Sequence, residues 1–559
     1  MHFSDIIKFS CCIILIHGLN IGCNNQSASP KIVDKPKPNL ELKSILEAAK
    51  VQEHTLENGI QLHALPLVNL FYSSNEFKTV WSNNRQLTSL SDSLIGLINY
   101  AELFGLFPSN YHSKELSNIQ EKLITDSLHK LDASHWNMLD ILLTDAYFSI
   151  VKDLKIGRLQ NDSILQLKDP AISPEYFINT LQTLVARKNF SYSFAHIQPP
   201  HRAYWNLINA LPSFVDSMSR KEFTYVKFVS NYKTPKDSID FIKTVQKRLY
   251  ESNCIADNKS LPDSTQLADA ILKYQKNKGI KEDGKLTSSL VRVFNNTDAE
   301  KFKRIAITLD KYKQLPRVMP EKYIWVNLPA YHLSVFDSDT IALESKIICG
   351  KPSTPTPHIT SSITDMVIYP TWTVPNSIIV KQYLPKLKNN PNYLNRIGLK
   401  IVNAKGEHVS AETVSWQKYS KGIPYKVMQE SGDNNALGVF KFNFDNPHAV
   451  YLHDTNQRYL FKNSSRAFSH GCVRVQEWEK LAYYIARNDS VMLEMGDTLR
   501  YTTDSIKNWI ESKQRKRIAV KNKINLYIRY FSCDGINGKV KFYEDIYGED
   551  AILRQKYFK

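Results

Sequence analysis

Residues 451–475 read YLHDTNQRYLFKNSSRAFSHGCVRV. The stretch opens on an alternating apolar segment that ends at His453, crosses a polar excursion, and returns through Ser469-His470-Gly471-Cys472 into Val473-Arg474-Val475. Two short β-elements joined by an excursion would bring an imidazole and a thiol onto neighbouring strands. A cysteine at its ordinary acidity is only slightly ionised at neutral pH, so as a nucleophile it needs an adjacent base and donors that favour the anion. His453, at the end of a strand, is the candidate base. Gly471 lets the chain turn tightly before Cys472 and lets main-chain N–H groups face a developing oxyanion. Two other readings stay open: a buried thiol beside two incidental imidazoles, and a zinc site. Against zinc, His470 and Cys472 are separated by one residue, and no carboxylate or histidine at a familiar spacing completes a ligand set.

Working outward from this stretch, the chain from about residue 318 is rich in strand patterns. KYIWVNLPAYHLSVF, TIALESKIICG, TDMVIYPTWTVP, GVFKFNF and HAVYLHD follow one another. Residues 376–430 interrupt them with helical pieces and read as a lid or cap inserted into a β-domain. EWEKLAYYIARND closes the unit as a helix, with Trp478, Leu481, Ala482 and Ile485 on one face. The domain is set at 318–500, and 501–559 reads as a C-terminal extension containing a hairpin.

Upstream the period changes. Leu90, Leu94, Leu97, Ile98 and Ala101 recur at helical spacing, as do Leu139, Leu142, Leu143, Ala146 and Ile150. Pro108 and Gly157 mark helix ends. This gives a helical scaffold over 46–235, with no chemistry assigned to it. Residues 236–310 read as a small three-helix module, with Gly279 stopping its second helix.

A chain of 559 residues with net charge +17 and 42% hydrophobic residues is long enough for several cores and has the composition of a globular protein. No zinc finger, basic helix or aromatic-basic platform points to nucleic acid, so the charge suits another anionic surface, cell-wall polymer or lipid. Residues 1–23 form a short apolar leader, too brief to span a bilayer, ending in Gly22-Cys23. The Gly-Cys ending resembles a lipoprotein processing site with Cys23 as the lipidated residue. Residues 24–45 follow as a polar, Pro-containing tether. Beyond the leader only Cys254, Cys349, Cys472 and Cys533 remain, widely spaced and without a CxxC pair, so no disulfide framework is expected.

His453, fifteen intervening residues, then Ser469-His470-Gly471-Cys472-Val473-Arg474 resembles the signature of the L,D-transpeptidase (YkuD-type) family. VNLPAYHLSVF, CGKPSTPTP, YPTWTVPNSI, LPKLKNNPNYL and NALGVFKFNFDNPHAVYLHDT resemble successive blocks of that domain. AELFGLFPSNYH and LLTDAYFSIVKDLKIGRL resemble the helical scaffold of its large multidomain members, and LKYQKNKGIKEDGKLTSSL resembles a three-helix peptidoglycan-binding module.

The resemblance implies a multidomain α+β protein with a mainly β catalytic domain. It implies a cysteine acyl-enzyme that cross-links peptidoglycan 3→3: the thiolate attacks the third residue of a tetrapeptide stem and D-Ala leaves. An acceptor amine then resolves the thioester. Cys472 is then the nucleophile and His453 the base, oriented through the carbonyl of Asp454. The amides of Gly471 and Cys472 are oxyanion donors, and His470 supports the loop or the catalysis. Arg474, Trp372 and Ser469 contact substrate. No cofactor and no metal are required. The partners are stem peptides, glycan strands and, through Cys23, a membrane, in an exported protein of the periplasm or cell envelope. A hydrolytic L,D-carboxypeptidase using the same thioester and an inactive wall-binding scaffold are the alternative readings.

Overall fold

Fully apolar stripes at helical spacing dominate the first part of the computed structural model, which describes residues 38–126, 131–159, 172–228, 234–338, 340–491 and 501–558. The leader and Cys23 lie outside these. Helix Ala133–Lys155 is the axis of the scaffold. Leu139, Leu142, Leu143, Ala146 and Ile150 are all fully buried along it, as their spacing predicts. Helices Pro38–Val51 and Leu65–Ser74 pack against it. Asp140, on the same helix, accepts hydrogen bonds from the Val80 and Trp81 amides and the Tyr72 hydroxyl, and burial pushes its carboxyl up to about 6. The tether expected over 24–45 therefore ends too late. Residues from Pro38 are helical, and Leu42 and Leu46 bury completely despite the polar residues around them.

Three helices, Pro235–Glu251, Ser264–Asn277 and Ser288–Phe294, surround a separate core of Val245, Leu249, Ile271, Tyr274 and Phe294. Gly279, at φ +61°, follows the second of them, where a residue with a Cβ would be strained. The module stops short of the expected 310. Helix Asp298–Lys313 instead buries Phe302, Ile305 and Leu309 against Tyr204, Leu207 and Phe531, joining the scaffold to the β-domain.

The β-domain is one mixed sheet of β1 (Lys322–Asn327), β2 (His332–Asp337), β3 (Thr340–Gly350), β4 (Ile359–Ile368), β5 (Phe440–Phe444), β6 (Leu452–His453), β7 (Ala467–Ser469), β8 (Val473–Val475), β9 (Lys516–Ala519) and β10 (Asn525–Arg529). Its order is β5-β6-β8-β3-β2-β1-β10-β4-β9, with β7 on β3. Strand β5 also pairs with β4, so the sheet closes on itself. Ile324, Val326, Leu333, Ile363, Phe442, Leu452 and Val473 fill the interior. Helix Trp478–Val491 covers it with Leu481, Ala482 and Ile485, and Trp478 stacks on Phe440 at 5.6 Å.

The boundary expected at 500 is corrected. β10 lies between β1 and β4, and β9 pairs with β4, so residues 516–529 belong to the closed sheet. The hairpin Cys533–Ile536 and Lys539–Phe542 follows, as read from the sequence, and packs on helix Arg202–Ser217. Helix Glu549–Tyr557 is then bound to helix Asp298–Lys313 by Lys311–Asp550 at 2.8 Å and Arg554–Glu300 at 2.7 Å.

Between β4 and β5 the chain builds a unit with its own sheet, in which Lys426–Gln429 lies between Trp372–Thr373 and Lys400–Val402. Val374, Ile378, Leu387, Leu394, Trp416 and Val427 form its separate core. One turn of it, Ile379–Tyr383, is π-helical.

Candidate active site

Strands β6 and β8 are parallel neighbours with Leu452 opposite Val473 and His453 opposite Arg474. Leu452 and Val473 point into the core. Period-two alternation then turns His453 and Arg474 to the opposite face, together with Tyr451 and Cys472 one step outside each strand. The Val473 amide donates to the Tyr451 carbonyl at 3.1 Å, which fixes this register up to the thiol. From the other side, antiparallel β5 sets Lys441 opposite His453. One face thus carries Lys441, Tyr451, His453, Cys472 and Arg474.

Cys472 follows a turn that only glycine adopts easily: Gly471 has φ +120°. The turn is held from within. The Ser469 hydroxyl donates to the Cys472 carbonyl at 2.5 Å and accepts from the Gly471 amide at 3.1 Å, while the Thr356 hydroxyl donates to the Gly471 carbonyl at 2.8 Å. Two expectations change here. Ser469 is buried and its hydroxyl is spent on the turn, so it offers no surface to a substrate. The Gly471 N–H is occupied and is not a free oxyanion donor; the Cys472 N–H makes no hydrogen bond to any described residue.

The Cys472 thiol faces the Ala449 carbonyl at 3.9 Å. Burial pushes the thiol's pKa up, and the Tyr451 amide and hydroxyl, Lys441 and Arg474 pull it back. His453 is 4% exposed. Burial, helped by the charges of Arg474 and Lys441, pushes its imidazole down to about 3, against the opposite pull of the Asp454 and Leu437 carbonyls. Its Nδ1 is buried with no hydrogen-bond partner. At neutral pH the face therefore carries a protonated thiol and a neutral imidazole.

The Asp454 side chain takes no part in this. It accepts from the Val439 amide at 3.0 Å and from Arg458 at 3.1 and 2.6 Å, bracing the turn that follows His453. Gly438, at φ +63°, makes room for it; a Cβ there would meet the Asp454 carboxylate and come within 2.6 Å of the Thr455 nitrogen.

The remaining expected residues divide. Arg474 donates to Gln457 at 3.1 Å, while its Nε is buried and unpartnered. Trp372 belongs to the inserted unit and packs against its core. His470 is exposed, and its Nε2 meets the amide of Gln382 in the π-helical turn of that unit. Lys441 and Tyr451 escape a reading of the sequence. In FKFNF and HAVYLH their alternation marks the face opposite the core, which in an open sheet would mean solvent; closure of the sheet and the inserted unit make it a site.

Residues 321–493 match the family described as the L,D-transpeptidase catalytic domain (YkuD), and residues 66–211 match a scaffold domain. A Haemophilus influenzae protein whose name assigns it, provisionally, to the L,D-transpeptidases is 34% identical over 240 residues. That alignment covers 42% of this chain and 47% of the relative, so the chain spans about half the length of the curated relative it matches. Among solved structures, the catalytic domain of an Enterococcus faecium L,D-transpeptidase acylated by ertapenem is similar at 15% identity and TM-score 0.17, covering 38% of this chain and 99% of that one. An L,D-transpeptidase from Mycobacterium smegmatis is similar at 15% identity and TM-score 0.17, over 32% of this chain and 56% of that one. Likenesses this weak carry no argument about mechanism.

Proposed function

Because this chain belongs to the L,D-transpeptidase (YkuD) family through its catalytic domain, we propose that it cross-links peptidoglycan stems 3→3 through a Cys472 acyl-enzyme. The observation that carries the reading is the shared face of β6 and β8, on which His453 stands opposite Arg474 and one same-face position along from Cys472. His453 takes the proton from Cys472 as sulfur attacks the carbonyl of the donor's third residue. The C–N bond to D-Ala breaks, the proton passes from His453 to the leaving amine, and a thioester remains. An acceptor amine attacks the thioester and loses a proton to His453. The amide bond forms, and the proton returns to the sulfur.

The Cys472 amide is the oxyanion donor in this scheme, and Arg474 binds a carboxylate of the stem through its forked donors. The unit at 372–429 covers the cleft, with Trp372 along its wall. The three-helix module holds glycan or sets the enzyme against it. Export by the 1–23 leader and anchoring through Cys23 complete the proposal, putting the thiol within reach of an anionic wall.

The test is incubation of the purified protein with disaccharide-tetrapeptides, followed by mass analysis. Dimers formed with loss of D-Ala are expected from the native chain and none from Cys472→Ala. Tripeptides alone would make the enzyme a carboxypeptidase, and dimers from the alanine variant would remove Cys472 from the mechanism.

A further inference from the structure

Lys441 is a cation without a counter-charge. Its ammonium lies over the Tyr451 ring, 4.0 Å from the centroid, and makes no ion pair or hydrogen bond to any described residue. β6 presents His453 directly opposite and Tyr451 beside it. β8 and the residue before it present Arg474 and Cys472. β4 presents Asp365, the one carboxylate among the groups that act on Lys441, and β9 presents Arg517. Asp365 is already taken: it accepts from Arg517 at 3.0 and 3.3 Å and from Asn443 at 2.8 Å. A partly buried lysine is rarely left unpaired unless a charge appears beside it during function.

We propose that Lys441 is a positioning residue of the nucleophile, held on the face of Tyr451 so that its ammonium becomes the counter-charge of the Cys472 thiolate when His453 removes the proton. The inference rests on the reading of Cys472 as the nucleophile. Three features of the site agree with it. The ring of Tyr451 fixes the ammonium by cation–π attraction without neutralising it. Desolvation holds the thiol protonated at rest, so a nearby positive charge acts where the anion is hardest to form. Arg474, the other cation of this face, is tied to Gln457, whereas the Lys441 ammonium has no competing acceptor.

The experiment follows the rate of Cys472 alkylation by iodoacetamide against pH in the full chain, with Cys472→Ala as the blank for the six other cysteines. It requires no turnover, so it stands apart from the choice between transfer and hydrolysis. Lys441→Met keeps the length of the side chain and removes the charge. It should move the alkylation profile up by roughly one pH unit, about tenfold slower at pH 7.5. Lys441→Arg should restore most of the rate. Overlapping profiles for the native chain and Lys441→Met would overturn the proposal. So would an equal slowing in the methionine and arginine variants, because the loss would then be one of packing. If Lys441→Met does not fold, Lys441→Gln puts the same question with a polar side chain and the same outcomes apply.

Discussion

Acid should destabilise the catalytic domain through one imidazole. A histidine held near 3 in the folded state and near 6.5 in the unfolded chain binds a proton only after unfolding across the interval between those values. The unfolded state therefore carries more protons there, and stability falls as the pH falls. The contribution is fully present above about pH 7 and is lost progressively below 6.5. With these two values the loss at pH 5 is about 2 kcal/mol, and at pH 3 it is about 4 kcal/mol. His453→Gln supplies the control, because a neutral amide of similar size cannot titrate. The assay is hydrogen exchange of the β5, β6 and β8 amides in the native chain and in the variant at pH 7 and pH 5, corrected for intrinsic exchange. It reads the opening of this sheet without assuming that the whole multidomain chain unfolds in one step. The native protein should lose about 2 kcal/mol more than the variant between the two pH values. An NMR titration of the His453 ring should show no protonation down to pH 4.5. A ring that titrates near 6.5, or equal pH slopes in both proteins, would refute the reasoning. The corollary for catalysis is that an acid limb in the pH–rate profile near pH 6 would have to come from another group.

Gly438→Ala should cost about 2–4 kcal/mol, from a left-handed alanine together with a methyl group forced against Asp454. Chemical denaturation measures the cost, and acylation by a carbapenem should slow in parallel because the turn after His453 shifts. Lys311→Met strips the buried Asp550 of its nearer cation, leaving Arg304 at 3.6 Å and the Ser532 hydroxyl, and should cost about 3 kcal/mol, seen as early melting of the helix Glu549–Tyr557. Adding Asp550→Leu should recover much of that loss; failure to recover would show that the lysine matters for more than its pairing.

The parts of this protein that depend on short-range pattern were readable from its residues. Leu139 through Ile150 fall on one buried face because the helical period forces them to, and Gly157 and Gly279 sit at positive φ where their helices stop. The spacing from His453 to Cys472 was legible because two strand ends and a glycine turn constrain it locally. What was hidden is long-range. Nothing in NLYIR announces that it slots between β1 and β4, two strands encoded far upstream of it. The polar residues of the first helix masked Leu42 and Leu46, whose burial depends on a partner helix about ninety residues away. The family resemblance points Ser469 and the Gly471 amide at the substrate, but a hydroxyl and an amide two residues apart satisfy each other first. Lys441 falls on the face of its alternating strand opposite the core, and only the neighbouring strands supply the Tyr451 and Cys472 that make that face a site.

The position of β10 has a consequence for biosynthesis. A ribosome that has already released the thiol and its base from the exit tunnel has still not delivered the strand that bridges β1 and β4. Until residue 529 emerges, both strands expose unpaired edges and the nucleophile stands on an open sheet. A premature stop codon anywhere between the cysteine and that strand would thus be as damaging as one placed before the cysteine. The nascent chain also cannot close the sheet behind the thiol before residue 529 has been delivered.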